Sequence, residues 1–250
     1  IPVVIYTEKK VPIPPVKCLL PLFLLGLSGV FAYNVCFFYG LQHISAGRAA
    51  LIIALNPLAI TIFAAIFLGE RLTMLKCCGV LTCLAGAIMV ISNGHPTTLF
   101  TGGFGPGEKA LLGCVLSWTT YSLIGRQVLK SMSPLASVGY SSIIGAALLA
   151  IPALQQGLVT DIANISTLGW VSLTYLGICG TAMGFSLYYA AIRKIGAART
   201  GVFINLVPVF SVLLSWLILA EAVKPIVIVG GLLILAGVYL TNYSPRAQRL

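Results

Sequence analysis

Arg48–Glu70, RAALIIALNPLAITIFAAIFLGE, and Arg199–Glu221, RTGVFINLVPVFSVLLSWLILAE, are two copies of one segment, set 151 positions apart without a gap. Arg48 falls on Arg199, Ile53 on Ile204, Pro57 on Pro208 and Glu70 on Glu221. The register continues outward, placing Leu22, Leu25, Gly26 and Gly29 on Leu173, Leu176, Gly177 and Gly180, and Gly79, Leu84 and Gly86 on Gly230, Leu235 and Gly237. A duplication of this extent restricts the fold to two copies of one unit, and the number of helices per unit decides how the copies are oriented.

Composition says what the unit is made of. With 59% hydrophobic residues, 8% charged and a mean hydropathy of +1.04, the chain is far from the roughly 25% charged of soluble domains. Apolar runs lie at Cys18–Leu41, Ala46–Leu68, Met74–Ile91, Ala110–Gly125, Leu135–Leu154, Leu168–Ile192, Ala197–Leu219 and Pro225–Leu240. Most approach the roughly 20 residues that span a bilayer core. None alternates apolar with polar residues as a barrel wall does, so helices are expected. Ala110–Gly125, between Lys109 and Arg126, is short for a core about 30 Å thick and counts as a span only if its flanking cations snorkel.

Threading these spans alternately puts Lys9, Lys10, Lys17, Arg71, Lys76, Arg126, Lys130, Arg193, Lys194, Arg199, Arg246 and Arg249 on or next to one side. Only Arg48, Lys109 and Lys224 fall on the other. The net charge of +10 therefore follows the positive-inside pattern and does not imply nucleic acid as a partner. The expected location is the cell (inner) membrane, multi-pass, with a cytoplasmic C-terminus and with the Asn93–Gly107 and Gln155–Ser166 loops outside. The seven cysteines lie in or at the ends of apolar spans and read as small packing residues, without disulfide or zinc-ligand spacing.

Ile1–Tyr6 reads as the tail of a helix, and five spans follow Lys109 where three precede it. The expected fold class is therefore all-α: a polytopic membrane helix bundle of inverted five-helix repeats, with eight of ten helices present. A complete eight-helix protein is the alternative. The first repeat is placed at 1–92, lacking its first two helices, an external linker at 93–108, the second repeat at 109–243 and a cytoplasmic tail at 244–250. An odd number of helices per repeat turns the second copy upside down, and two inverted copies enclose a midplane site between them in alternating-access carriers.

The five carboxylates, Glu8, Glu70, Glu108, Asp161 and Glu221, and the two histidines, His43 and His95, all sit at helix ends or in loops. No catalytic residue, metal ligand or cofactor is expected, because intramembrane catalysis needs such groups at depth. What lies at depth is uncharged and aromatic. The expected cavity residues are Tyr33, Asn34, Phe37, Asn56, Trp118, Tyr121, Tyr188 and Asn205, a set suited to a small amphipathic metabolite. Tyr39 and Tyr189 read as interfacial aromatics. Pro57 and Pro208, about halfway through their spans, are expected to kink them and to act as static bends or hinges. Arg48 and Arg199 are expected among headgroups or as guides for an anion, and Glu70 and Glu221 on backbone amides of the following turn or near a cation.

The apolar helix with a mid-span proline and a terminal Leu-Gly-Glu, as in Asn56-Pro57 to Leu68-Gly69-Glu70 and in Val207-Pro208 to Leu219-Ala220-Glu221, resembles the EamA branch of the drug/metabolite transporter superfamily. So do Gly79–Gly86, Gly230–Gly237 and Trp118 followed by Tyr121. The resemblance implies a ten-helix inverted-repeat carrier that exports amino acids or related metabolites. Ala220 departs from the pattern where it replaces the glycine of the second Leu-Gly-Glu. The alternative is a non-transporting membrane scaffold or sensor. Expected partners are a small-molecule substrate, the lipid bilayer and, in a homo-oligomer, further copies of the chain.

Overall fold

The computed structural model describes residues 13–92, 95, 97, 105–219 and 224–243. Ile1–Tyr6, Glu8, most of the Asn93–Gly107 loop, Ala220, Glu221 and the 244–250 tail lie outside the described residues. Every expected span is helical. In chain order the helices are α1 (Val16–His43), α2 (Ala46–Ile53), α3 (Asn56–Leu68), α4 (Met74–Ile91), α5 (Pro106–Val128) and α6 (Pro134–Gln155). A short α7 (Leu158–Ala163), in the expected outer loop, is followed by α8 (Thr167–Ile195), α9 (Ala197–Gly201), α10 (Leu206–Leu219) and α11 (Pro225–Asn242).

Among the described residues seven spans are long and apolar enough to cross a membrane, α2 with α3 and α9 with α10 each counting once. α5 is not one of these seven; its 23 residues rise about 35 Å at 1.5 Å each. The shortfall expected of Ala110–Gly125 is thus made up at both ends, because Pro106–Lys109 and Arg126–Val128 continue the helix. Side-chain oxygens of Thr73, Ser133 and Ser166 start α4, α6 and α8 by accepting amide hydrogens of Lys76, Ala136 and Gly169. Gly69 stops α3 in the left-handed conformation at φ 65°.

Both duplicated helices break one turn before their proline. α2 ends at Ile53 and α3 begins at Asn56, while in the second copy a 3-10 turn, Val202–Asn205, joins α9 to α10. Proline has no N–H, so Pro57 and Pro208 leave the carbonyls of Ile53 and Ile204 without their usual donor four residues on. Those carbonyls are equivalent positions of the repeat. α1 and α8 also widen at equivalent places, into π-helix over Gly26–Ala32 and Leu176–Met183.

The chain forms two compact units, Ile1–Val35 with Thr120–Gly196, and Cys36–Thr119 with Ala197–Leu250. Each draws on both copies of the repeat. In the first unit the π segment of α1 lies against α6 and the end of α5: a Cβ on Gly26 would lie 2.7 Å from the Ile144 side chain, and one on Gly29 would strike the Tyr121 ring. The equivalent Gly177 and Gly180 of α8 have no described atom within 4 Å of such a Cβ.

In the second unit α4 crosses α11 with backbones in contact. A Cβ on Gly86 would lie 2.6 Å from the Gly230 carbonyl oxygen and one on Gly230 2.9 Å from that of Gly86, and Gly79 and Gly237 repeat the arrangement. A shift of 151 positions exchanges these two glycine pairs. Cys83 Sγ donates to the Ile234 carbonyl at 3.3 Å, and Cys83 and Ile234 are themselves 151 positions apart. A local two-fold axis therefore passes between them, and α4 and α11 run antiparallel. Small residues permit this approach where no hydrophobic drive favours helix association. Val80, Ala87, Val90, Val202 and Val227 close the core around the crossing.

Candidate functional site

Polar and aromatic side chains at membrane depth gather separately in each unit. In the first, Tyr121 of α5 is fully buried and stacks on Tyr189 of α8 with ring centroids 4.8 Å apart, with Phe185 at 5.9 Å. Tyr189 donates its hydroxyl to the Tyr121 carbonyl at 3.0 Å, and Ser122 Oγ and the Tyr188 hydroxyl share a hydrogen bond of 2.8 Å. A Cβ on Gly125 would lie 2.5 Å from the Tyr189 ring, so α5 and α8 meet through one glycine and three tyrosines. Arg126 adds a donor to the Ile192 carbonyl at 3.1 Å, a cation on the last turn of α8. Tyr189 is therefore a buried member of this cluster and not an interfacial aromatic; its one-residue offset from Tyr188 gives no sign of that in the sequence. Tyr39 is exposed near the end of α1, its ring tilted against that of His43 at 4.3 Å.

Tyr33 and Asn34 belong to the first unit, where both are half-buried. Asn34 Nδ2 donates to the Val30 carbonyl at 2.6 Å, one turn back, so that amide hydrogen satisfies its own helix.

The second unit holds Phe37, Asn56, Trp118 and Asn205. Phe37 meets Phe38 edge-on at 5.8 Å, and Trp118 is half-buried. Asn56 and Asn205 are 2% and 1% exposed, and Asn56 Oδ1 and Asn205 Nδ2 have no hydrogen-bond partner among the described residues. The helices that carry them run antiparallel. The Ala197 amide, at the start of the second copy, donates to Glu70 Oε1, at the end of the first, at 3.1 Å. Farther in, a Cβ on Gly201 would lie 3.0 Å from Ile60 Cδ1. One further turn along each helix brings Asn56 and Asn205 to the same level. At that level one broken helix carries an unmet acceptor and the other an unmet donor, and among the described residues the buried hydroxyls of Thr61, on α3, and Thr119, on α5, also have no partner. Unpaired buried polar atoms are costly and rare, and they mark places where a ligand or water completes the bonding.

The ends of the copies find partners far along the chain. Glu70 Oε1 accepts from the Ala197 amide of the second copy. Arg48 pairs with Glu108 at 2.5 Å, at the start of α5. The amides of Glu108 itself and of Gly105 hold the Glu108 carboxylate below its ordinary range, and Arg48 acts in the same direction. Nothing local in the sequence links residues 60 positions apart. Arg199 Nε is buried without a partner among the described residues.

Among the described residues no three His, Cys, Asp or Glu side chains gather as metal ligands. Uncharged amides, hydroxyls and stacked rings suit binding and orientation of a solute. The EamA-like transporter family model matches residues 1–92 and 105–243. The chain belongs to that family. It is similar to an uncharacterized transporter, YyaM, of Bacillus subtilis (strain 168), 30% identical over 214 residues, 86% of this chain and 70% of the relative. A probable terminal-alkyne amino-acid exporter of Streptantibioticus cattleyicolor is 28% identical over 227 residues, 90% of this chain and 74% of that protein. A crystal structure that is 23% identical superposes with a TM-score of 0.77 over all of this chain and 83% of its own, a likeness of fold. With its apolar helices, the family makes this a multi-pass membrane protein of transporter type.

Proposed function

We propose that the chain is a secondary carrier that exports small organic metabolites, amino acids or related solutes, across the cell membrane by alternating access. The observation that carries this reading is the antiparallel crossing of the duplicated helices, with Cys83 and Ile234 facing each other across a local two-fold axis. Inverted copies exchange roles when a carrier passes from one access state to the other. Asn56 and Asn205, with their unmet bonding capacity, are the solute-contacting amides, and Trp118 of the same unit supplies an aromatic wall. The breaks before Pro57 and Pro208 supply the bends about which the duplicated helices adjust. The existence of an amino-acid exporter among the relatives supports the solute class.

The test is flux of a panel of labelled amino acids and related metabolites in vesicles reconstituted with the chain. Saturable uptake, accelerated by unlabelled solute on the far side, is expected of alternating access. Uptake linear in concentration, without trans-acceleration for any member of the panel, refutes it.

A further inference from the structure

We propose that α10 and α11 hold one anionic phospholipid, its acyl chain in the groove between them and its phosphate at Lys224. The groove measures about 510 Å³, with Val90 and Val227 as its floor. Val209 and Trp216 of α10 form one wall, and Gly231 and Leu235 of α11 the other. Gly231 keeps it open: a Cβ there would have only Val209 Cγ1 within 4 Å, at 3.9 Å.

Size, length and charge select the occupant. At roughly 30 Å³ for a water-sized group, the groove takes about seventeen such groups, the scale of one fatty chain. From Lys224 to Leu235, α11 rises about 16 Å at 1.5 Å per residue, close to half of a hydrocarbon core about 30 Å thick. The groove therefore covers the depth of a single leaflet. Lys224 stands one turn before Val227 and Ile228 of the groove, immediately before the first turn of α11, where helix polarity adds to the same positive sign. A second copy of the chain fits less well. Packing between membrane helices uses small residues, and Gly230 and Gly237 are already taken up against α4. The surface beside the groove carries exposed Leu214, Leu217, Ile218 and Val229.

An acyl chain gains little by leaving one apolar surrounding for another, so preference between lipids comes from the headgroup. One lysine near the membrane surface supports about a fivefold preference for an anionic lipid over a neutral one. The experiment uses the full chain with Trp118 and Trp170 replaced by phenylalanine, reconstituted in vesicles where either phosphatidylglycerol or phosphatidylcholine carries brominated acyl chains. Bromine quenches Trp216 on contact. Half-maximal quenching is expected at about fivefold lower mole fraction of the brominated phosphatidylglycerol. Lys224→Gln, a surface change, is expected to erase that difference while chain quenching persists, and Gly231→Leu, which fills the groove, to weaken quenching by both lipids. Equal mole fractions for the two lipids in the chain with native Lys224 overturn the proposal, as does a preference that survives Lys224→Gln. Quenching that falls as protein density rises, together with cross-linked dimers, overturns it in favour of a second copy.

Discussion

Replacing Gly86 by alanine at the α4–α11 crossing puts a Cβ 2.6 Å from the Gly230 carbonyl oxygen, where ordinary contact begins near 3.4 Å. Neither backbone yields locally, so the helices must part by about 0.8 Å, within the range where a packed pair loses a quarter to a half of its dispersion attraction. Overpacking of this kind costs about 2 kcal/mol. Gly230→Ala places its Cβ 2.9 Å from the Gly86 carbonyl and asks for a smaller separation of the same two helices. Once Gly86→Ala has opened the crossing, the second alanine finds its space already made. The double variant is therefore expected to be about as unstable as Gly86→Ala alone, short of the sum of the singles by the whole cost of Gly230→Ala. Unfolding of the four proteins in mixed detergent, followed by far-ultraviolet circular dichroism, measures the difference. Gly86→Ala with Gly125→Ala, which belongs to the other compact unit, serves as the additive control. If the Gly86 and Gly230 costs add within about 0.5 kcal/mol, the two glycines do not share one spacing and the two-fold crossing is refuted.

Asn56→Leu and Asn205→Leu each remove an unmet buried polar atom and are expected to raise stability by about 1 kcal/mol while abolishing solute flux, measured by detergent unfolding and vesicle uptake. Loss of both properties would make the asparagines structural. Tyr188→Phe and Ser122→Ala break one shared hydrogen bond, so each should cost about 1 kcal/mol and the double variant less than the sum of the two, checked by the same unfolding measurement. Glu108 has a lowered pKa in the folded chain, so its contribution to stability is fully present above the ordinary carboxylate range and is lost as pH falls through the lowered value. Thermal midpoints between neutral and acidic pH should drop more for the native chain than for Glu108→Gln.

The spans and their inversion were legible because they rest on local apolarity and on register between copies, both written along the chain. Met74–Ile91 was bounded to the residue, since Thr73 and the apolar run define it alone. The two breaks were legible through Pro57 and Pro208, although the break comes one turn earlier than the proline, where the missing donor is felt. Partnerships across the chain were not. Arg48 with Glu108, Tyr189 with Tyr121, and Glu70 with the Ala197 amide each join segments whose approach depends on packing of whole helices. Asn34 and Asn56 read alike in sequence, yet one satisfies its own helix and the other keeps a buried acceptor without a partner among the described residues.

The thiol of Cys83 reaches the carbonyl of its own counterpart, Ile234. Two identical subunits meeting at such a place would have to present the same group from both sides. Joining the halves in a single polypeptide removes that obligation, so a sulfur donor can oppose a branched aliphatic and the two directions of travel through such a protein can be tuned independently.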